Sequence, residues 1–233
     1  IIFQERNDPT GYARFLVEWQ GVERPRGSAD ALLDAVSALE GAPLPLSALL
    51  GEILPARVQG FRPADLDLAC ARGEIRWRGV EPVGPHDGRV ALYLAPRFPL
   101  LAPAPAPVDS SLAREVMRHL AERGALFFPE LVALTHAFAP ELVAALHALV
   151  WAGVVTNDTL QPLRSRLTPA PSPNPRRAPL PRSGPPGSEG RWSLLPPVDA
   201  RTDTDHRAAL ASLLLDRYGV VTREAVHAEL VPG

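Results

Sequence analysis

A chain of 233 residues, 46% hydrophobic and 21% charged, has room for one large or two to three small domains and can bury a core. Its net charge of −2 and pI near 6.3 exclude a strongly basic surface overall, and all 24 basic side chains are arginine, which excludes a GxxxxGK(S/T) phosphate loop, whose lysine must reach the phosphates. Cys70 is the single cysteine, so an internal disulfide and a multi-cysteine zinc site are excluded, and the absence of a signal-type start or a run of roughly eighteen apolar residues predicts a cytoplasmic protein with no membrane partner.

In chain order, residues 1–27 predict an N-terminal helix and a connection, with Tyr12, Phe15, Leu16 and Trp19 on one helix face. Residues 28–101 predict a first winged-helix module. Ala31 to Leu39 form its first helix, ended by Gly41, Leu46 to Leu54 a second, and Pro63 to Ala71 a third, with proline in the first turn. The wing is a hairpin, GEIRWRGV returning as DGRVALYL, in which Ile75 and Trp77 alternate with Arg76 and Arg78.

A Pro/Ala linker at 102–110 leads to a second module over 111–163. Here Leu112, Val116, Met117 and Leu120 make an amphipathic helix stopped by Gly124. Pro129 opens a short second helix and Pro140 a third, and Val154 to Thr156 runs as a strand into an Asn157–Asp158 turn. Residues 164–191 are rich in Pro, Ser, Gly and Arg without apolar period, which predicts a disordered, locally basic linker. Residues 192–233 begin the pattern a third time. Helix, glycine, short step and second helix recur three times, and the last copy stops before its third helix. The predicted fold class is therefore α+β, mainly α: tandem winged-helix modules with short β wings, joined by Pro-rich linkers. The opening without methionine and the close at Gly233 lead to the expectation of a piece of a longer chain.

Winged helices ordinarily place the third helix in a nucleic-acid groove. In the second module, the side of that helix away from its apolar stripe offers Ala144, His147, Ala148 and Trp151 without arginine. Because base and phosphate contacts rest on Arg, Lys, Asn and Gln, this surface predicts a partner helix instead of DNA. Nucleic acid is expected at the wing, where Arg76, Trp77, Arg78 and Arg89 gather, and at Arg191 and Trp192 after the basic linker, since single strands are held by aromatic stacking beside guanidinium groups. No histidine has metal-ligand spacing, and neither catalytic residues nor a cofactor are expected in this chain.

The wording of several stretches resembles the C-terminal region of the large helicase-related (Lhr) family of superfamily 2 helicases. They are GYARFLVEWQGV at 11–22, ILPARV at 53–58, DGRVALYLA at 87–95, GALFF at 124–128, LVWAGVVTNDTLQPLR at 149–164, GRWSLLPP at 190–197 and RYGVVTREAV at 217–226. The resemblance implies an ATP-dependent DNA helicase, a hydrolase of DNA repair, whose motor domains lie upstream and use ATP and Mg there. It also implies single-stranded or forked DNA as partner, and kinship to a barrel-containing family of DNA glycosylases. The glycosylase relatives use QxQ or QxD, whereas Gln4, Gln20, Gln59 and Gln161 are followed two positions later by Arg, Val, Phe and Leu, so no catalytic residue transfers. The alternatives are a protein-interaction or homo-oligomerisation module and part of a glycosylase-like domain.

Overall fold

The computed structural model describes residues 9–22, 25–28, 30–167, 184–198, 203–223 and 226. Helix α1 (Pro9–Trp19) comes first. The first winged helix then runs α2 (Ala31–Leu39), β1 (Leu44–Pro45), α3 (Leu46–Ala48) continued by a π turn over Leu49–Ile53, α4 (Pro63–Ala71), β2 (Ile75–Val83) and β3 (Asp87–Leu94). Its antiparallel sheet has the order β1-β3-β2. Local chemistry sets the boundaries. Pro63 opens α4 where its missing N–H costs nothing, the Asp65 carboxylate accepts from the Arg62 backbone N–H, and Gly41 turns the chain after α2 at φ +74°.

The short α5 (Phe98–Leu101) and the Pro/Ala connection lead to the second winged helix. It comprises α6 (Ser111–Arg123), β4 (Leu126–Phe127), α7 (Phe128–Thr135), α8 (Ala139–Trp151), β5 (Val155–Asn157), α9 (Gln161–Leu167) and β6 (Arg191–Leu194), with sheet order β4-β6-β5. The Ser110 hydroxyl caps α6 by accepting from the Ala113 N–H at 3.3 Å, and Gly124 ends the helix at φ +80°. The fold is thus α+β, mainly α, with two tandem winged helices. Helix α10 (Asp203–Tyr218) follows, and the backbone N–H of Val226 donating to the Thr222 carbonyl marks helical winding beyond Gly219.

The segment read as a linker departs from expectation. Residues 164–167 belong to α9, and residues 184–191 lie against the second module; only 168–183, with Arg176, Arg177 and Arg182, fall outside the described residues. Strand β5 does not turn tightly back at Asn157–Asp158. Its partner is β6, whose Trp192 opposes both Leu126 and Asn157, so residues expected to begin a third module form the centre of the second module's sheet. The reason is packing: a two-stranded remnant could not cover the core, and Trp192, fully buried, supplies the missing central side chain. Most of the expected second helix of the third module, residues 224–225 and 227–233, also lies outside the described residues.

The two modules share one core. Leu32, Leu49 and Trp77 of the first belong to the same apolar cluster as Leu120, Leu146, Val155 and Trp192 of the second. A smaller core forms on the other face of the wing, where Ala91 and Tyr93 meet Phe98 and Leu101 of α5 and Leu213 of α10. Two wing glycines make the main seam possible. A Cβ at Gly79 would lie 2.6 Å from the Val150 carbonyl oxygen, and one at Gly88 would overlap the Trp151 indole, so both positions admit helix α8 only because they lack side chains. Gly79→Val is expected to lower stability by about 1–3 kcal/mol through overpacking. Gly51→Ala, which meets nothing within 4 Å, serves as the comparison in thermal melting; equal melting temperatures for the two variants would refute a tight seam.

Candidate nucleic-acid interface

The recognition helices come first, because a winged helix reads DNA through them by default. Helix α8 is committed to the chain's own interior. Leu142, Leu146, Leu149 and Val150 are buried, and its C-terminal end lies under the wing of the first module. Polar groups fasten the same seam. The Trp77 indole N–H donates to the Asn157 carbonyl at 2.8 Å, and the Thr156 hydroxyl donates to the Trp77 carbonyl at 2.9 Å. Helix α4 is occupied too: Asp67 accepts from the Leu160 N–H at 2.8 Å and forms an ion pair with Arg164 across the modules. A carboxylate on the helix that would enter the groove repels phosphate, and here it clamps the second module.

The side chains expected at the wing divide into buried and exposed. Trp77 and Trp192 are both fully buried, so neither presents a ring for a base to stack on, and their assignment to nucleic acid is corrected to core. Arg78 is corrected likewise. It is buried on the wing face that alternation would have put in solvent, because α5, α10 and the Pro/Ala connection cover that face; its guanidinium donates to the Ala104 carbonyl at 3.3 Å and packs on Gly153. Burial lowers its pKa, as expected for a cation taken from water. Arg89 is exposed and paired with Glu81, which cancels its charge locally.

Arg76 and Arg191 do come together. They line one cleft of about 190 Å³ between the modules, with Arg72 from the end of α4, Asp158 from the loop after β5 and Ser193 from β6. Arg191 is held there twice by Asp158, its backbone N–H donating at 2.8 Å and its guanidinium Nε at 3.3 Å. Arg72 was not anticipated: it stands alone after a helix in the sequence, and only the fold brings it beside Arg76. Among the described residues neither Arg72 nor Arg76 has a carboxylate partner or a side-chain hydrogen bond.

The face proposed for a partner is split as well. Ala144 and Ala148 are exposed and, with Pro140, Val143 and Pro186, line an open apolar groove on α8. Trp151 lies at the end of this groove, against Gly88 of the wing. His147 is not part of an exposed face. It is buried, its Nε2 is 3.1 Å from the Gly187 carbonyl, its Nδ1 faces Arg166, and Arg166 also reaches the Pro85 carbonyl in the wing turn. Burial first, and Arg166 second, pull the His147 pKa down to about 4. No helix among the described residues is long and apolar enough to cross a membrane by itself.

Two winged helices fused wing to recognition helix, with a third beginning at α10, define a tandem winged-helix scaffold of the helix-turn-helix class. Family models make part of that description specific. Models described as "Large helicase-related protein, winged-helix domain" match residues 8–95, as the third such domain of the family, and residues 200–233, as the fourth; neither of these covers the second module. The "Lhr helicase/ probable uracil glycosylase" of Mycolicibacterium smegmatis is 37% identical over 248 residues, covering 95% of this chain and 16% of that protein. The "Lhr helicase/uracil glycosylase" of Escherichia coli is 34% identical over 274 residues, covering 96% of this chain and 17% of that protein. The chain belongs to the large helicase-related (Lhr) family and corresponds to its C-terminal winged-helix region, spanning about a sixth of the length of these relatives.

Proposed function

We propose that this chain is the nucleic-acid-binding and scaffolding segment of an Lhr-like ATP-dependent DNA helicase acting in DNA repair, its motor domains lying elsewhere in the whole protein. One observation carries the reading. The C-terminal end of the second module's recognition helix is packed under the wing of the first, so the pair is a rigid body that can hold a strand in a fixed position relative to a motor, without reading its sequence. The names of both relatives, which pair helicase with uracil glycosylase, support placement beside DNA-processing chemistry; a glycosylase role for this chain is the least favoured reading. Phosphate contacts by arginine predict salt-dependent, sequence-indifferent binding. Titration of the chain with two unrelated single-stranded oligonucleotides should give equal affinities and a log K that falls with log salt by about 0.7 per phosphate engaged. Salt-insensitive binding, or strong preference for one sequence, would remove this reading.

The exposed Ala144 and Ala148 favour a second reading, in which α8 receives a partner helix or a second copy of the chain. Ala148→Arg would then lower assembly mass in sedimentation without changing DNA affinity, because a charge is placed in an apolar contact. Unchanged mass together with tighter DNA binding would instead mark that face as one turned toward nucleic acid.

A further inference from the structure

We infer that the cleft between the modules is a seat for a single backbone phosphate of a nucleic-acid strand, held by the guanidinium groups of Arg72, Arg76 and Arg191. The inference rests on the nucleic-acid binding proposed above and assigns its location.

Three observations converge on it. The cleft is the place among the described residues where arginines from three separate elements, the end of α4, strand β2 and strand β6, line one concavity. Two of them have no carboxylate partner there, and the third shares its charge with a single aspartate, which leaves the seat net positive in a chain whose overall charge is negative. Planar guanidinium forks suit phosphoryl oxygens, and Ser193, a small polar residue, lines the same wall. The volume, about 190 Å³, takes a phosphate with its flanking ester oxygens.

The surroundings decide what is recognised. Trp77, which borders the cleft, is fully buried in the shared core, and the Asn157 side chain is spent on the Glu189 carbonyl and on Thr159. Neither a stacking platform nor a free amide remains for a base edge. Recognition at this point is therefore of the backbone, independent of sequence. Gly190, at φ +76°, is a condition for the site: a Cβ there would overlap the Asn157 and Asp158 side chains, pushing Arg191 away from its aspartate.

The test uses the whole chain and a labelled oligothymidylate of about 16 nucleotides, followed by anisotropy between about 50 and 200 mM salt. The Arg72→Gln/Arg76→Gln double variant is expected to bind about tenfold or more weakly and to lose up to about 0.7 of the salt slope, the value for one phosphate contact. Asp158→Asn, which frees Arg191 and raises the positive charge of the cleft, should bind more tightly than wild type; a merely disturbed fold would not. Arg114→Gln, on α6 about three helical turns from the cleft wall at Ala125, should leave binding unchanged. Wild-type binding with an unaltered double variant, or an equal loss in Arg114→Gln, overturns the seat and leaves the broader reading standing. Absence of wild-type binding overturns both. Inorganic phosphate is the second arm: if it binds wild type but not the double variant, while oligonucleotide binding is the same in the two, the cleft takes free phosphate and the strand assignment fails.

Discussion

Trp77→Ala should remove about 4 kcal/mol or more of folding stability and unfold both winged helices together. Truncating a buried tryptophan costs about 3–5 kcal/mol from lost burial and the cavity left behind. Trp77 is fully buried in the core shared by the modules, so the cavity opens at their junction. A second cost follows, because the indole N–H is the donor to the Asn157 carbonyl, and a buried acceptor left without its donor costs a further 1–3 kcal/mol or so. For a domain whose whole stability is on the order of 5–15 kcal/mol, this is a large share. Urea unfolding followed by circular dichroism provides the measurement. Wild type should unfold in one transition, Trp77→Ala in one transition at much lower urea, and Trp77→Phe between them. Two separated wild-type transitions, or a loss below about 1 kcal/mol in Trp77→Ala, would show that the modules fold independently and that the tryptophan does not join them.

Acid should weaken the second module through His147. Its imidazole is neutral in the folded chain: Nε2–H donates to the Gly187 carbonyl, and the Nδ1 lone pair accepts from Arg166, so a proton at Nδ1 would meet both burial and a neighbouring cation. The folded pKa is about 4 against an ordinary value of 6.5. A depressed folded pKa means that the unfolded chain binds the proton more readily. The contribution is therefore fully present above pH 6.5 and is lost as pH falls toward about 4, a span worth about 3 kcal/mol at 1.36 kcal/mol per unit. Glu40 acts in the opposite sense. Burial raises its carboxyl pKa, so its contribution is present at low pH and is lost as pH rises through the folded value. The difference between wild type and His147→Gln, measured by urea unfolding at pH 7.5 and 4.5, isolates the histidine. A difference that does not change with pH would remove His147 from the acid response.

The chain's own periodicity determined a good deal. Leu32, Val36 and Leu39 recur at helical spacing and are buried in α2; Pro63 and Ala71 bound α4 as read; and the hairpin returns at Asp87, although its turn is Gly84 to His86 and the Asp87–Gly88 pair expected to make the turn is already paired in β3. Those features are local. They depend on side-chain spacing, proline's fixed φ and glycine's freedom, all of which act within a few residues. The absence of arginine on the exposed side of α8 was legible for the same reason, since composition of one helix face needs no knowledge of the rest.

What lay beyond reach was every pairing across long sequence distance. Trp192 looked like an aromatic beside a basic linker, yet it is the central side chain of a sheet whose other strands end 35 residues earlier at Asn157. Arg78 alternates outward along its strand and is nevertheless buried, because α5 and α10 cover the second face of the wing, and strand alternation cannot say whether a face will be covered. Arg72, Arg76 and Arg191 form one cleft only because the end of α4, the start of β2 and β6 are brought together by the shared core. Burial and charge clustering are properties of surfaces built from distant segments. They are set by which apolar faces find each other, and that choice is made by the tertiary structure alone.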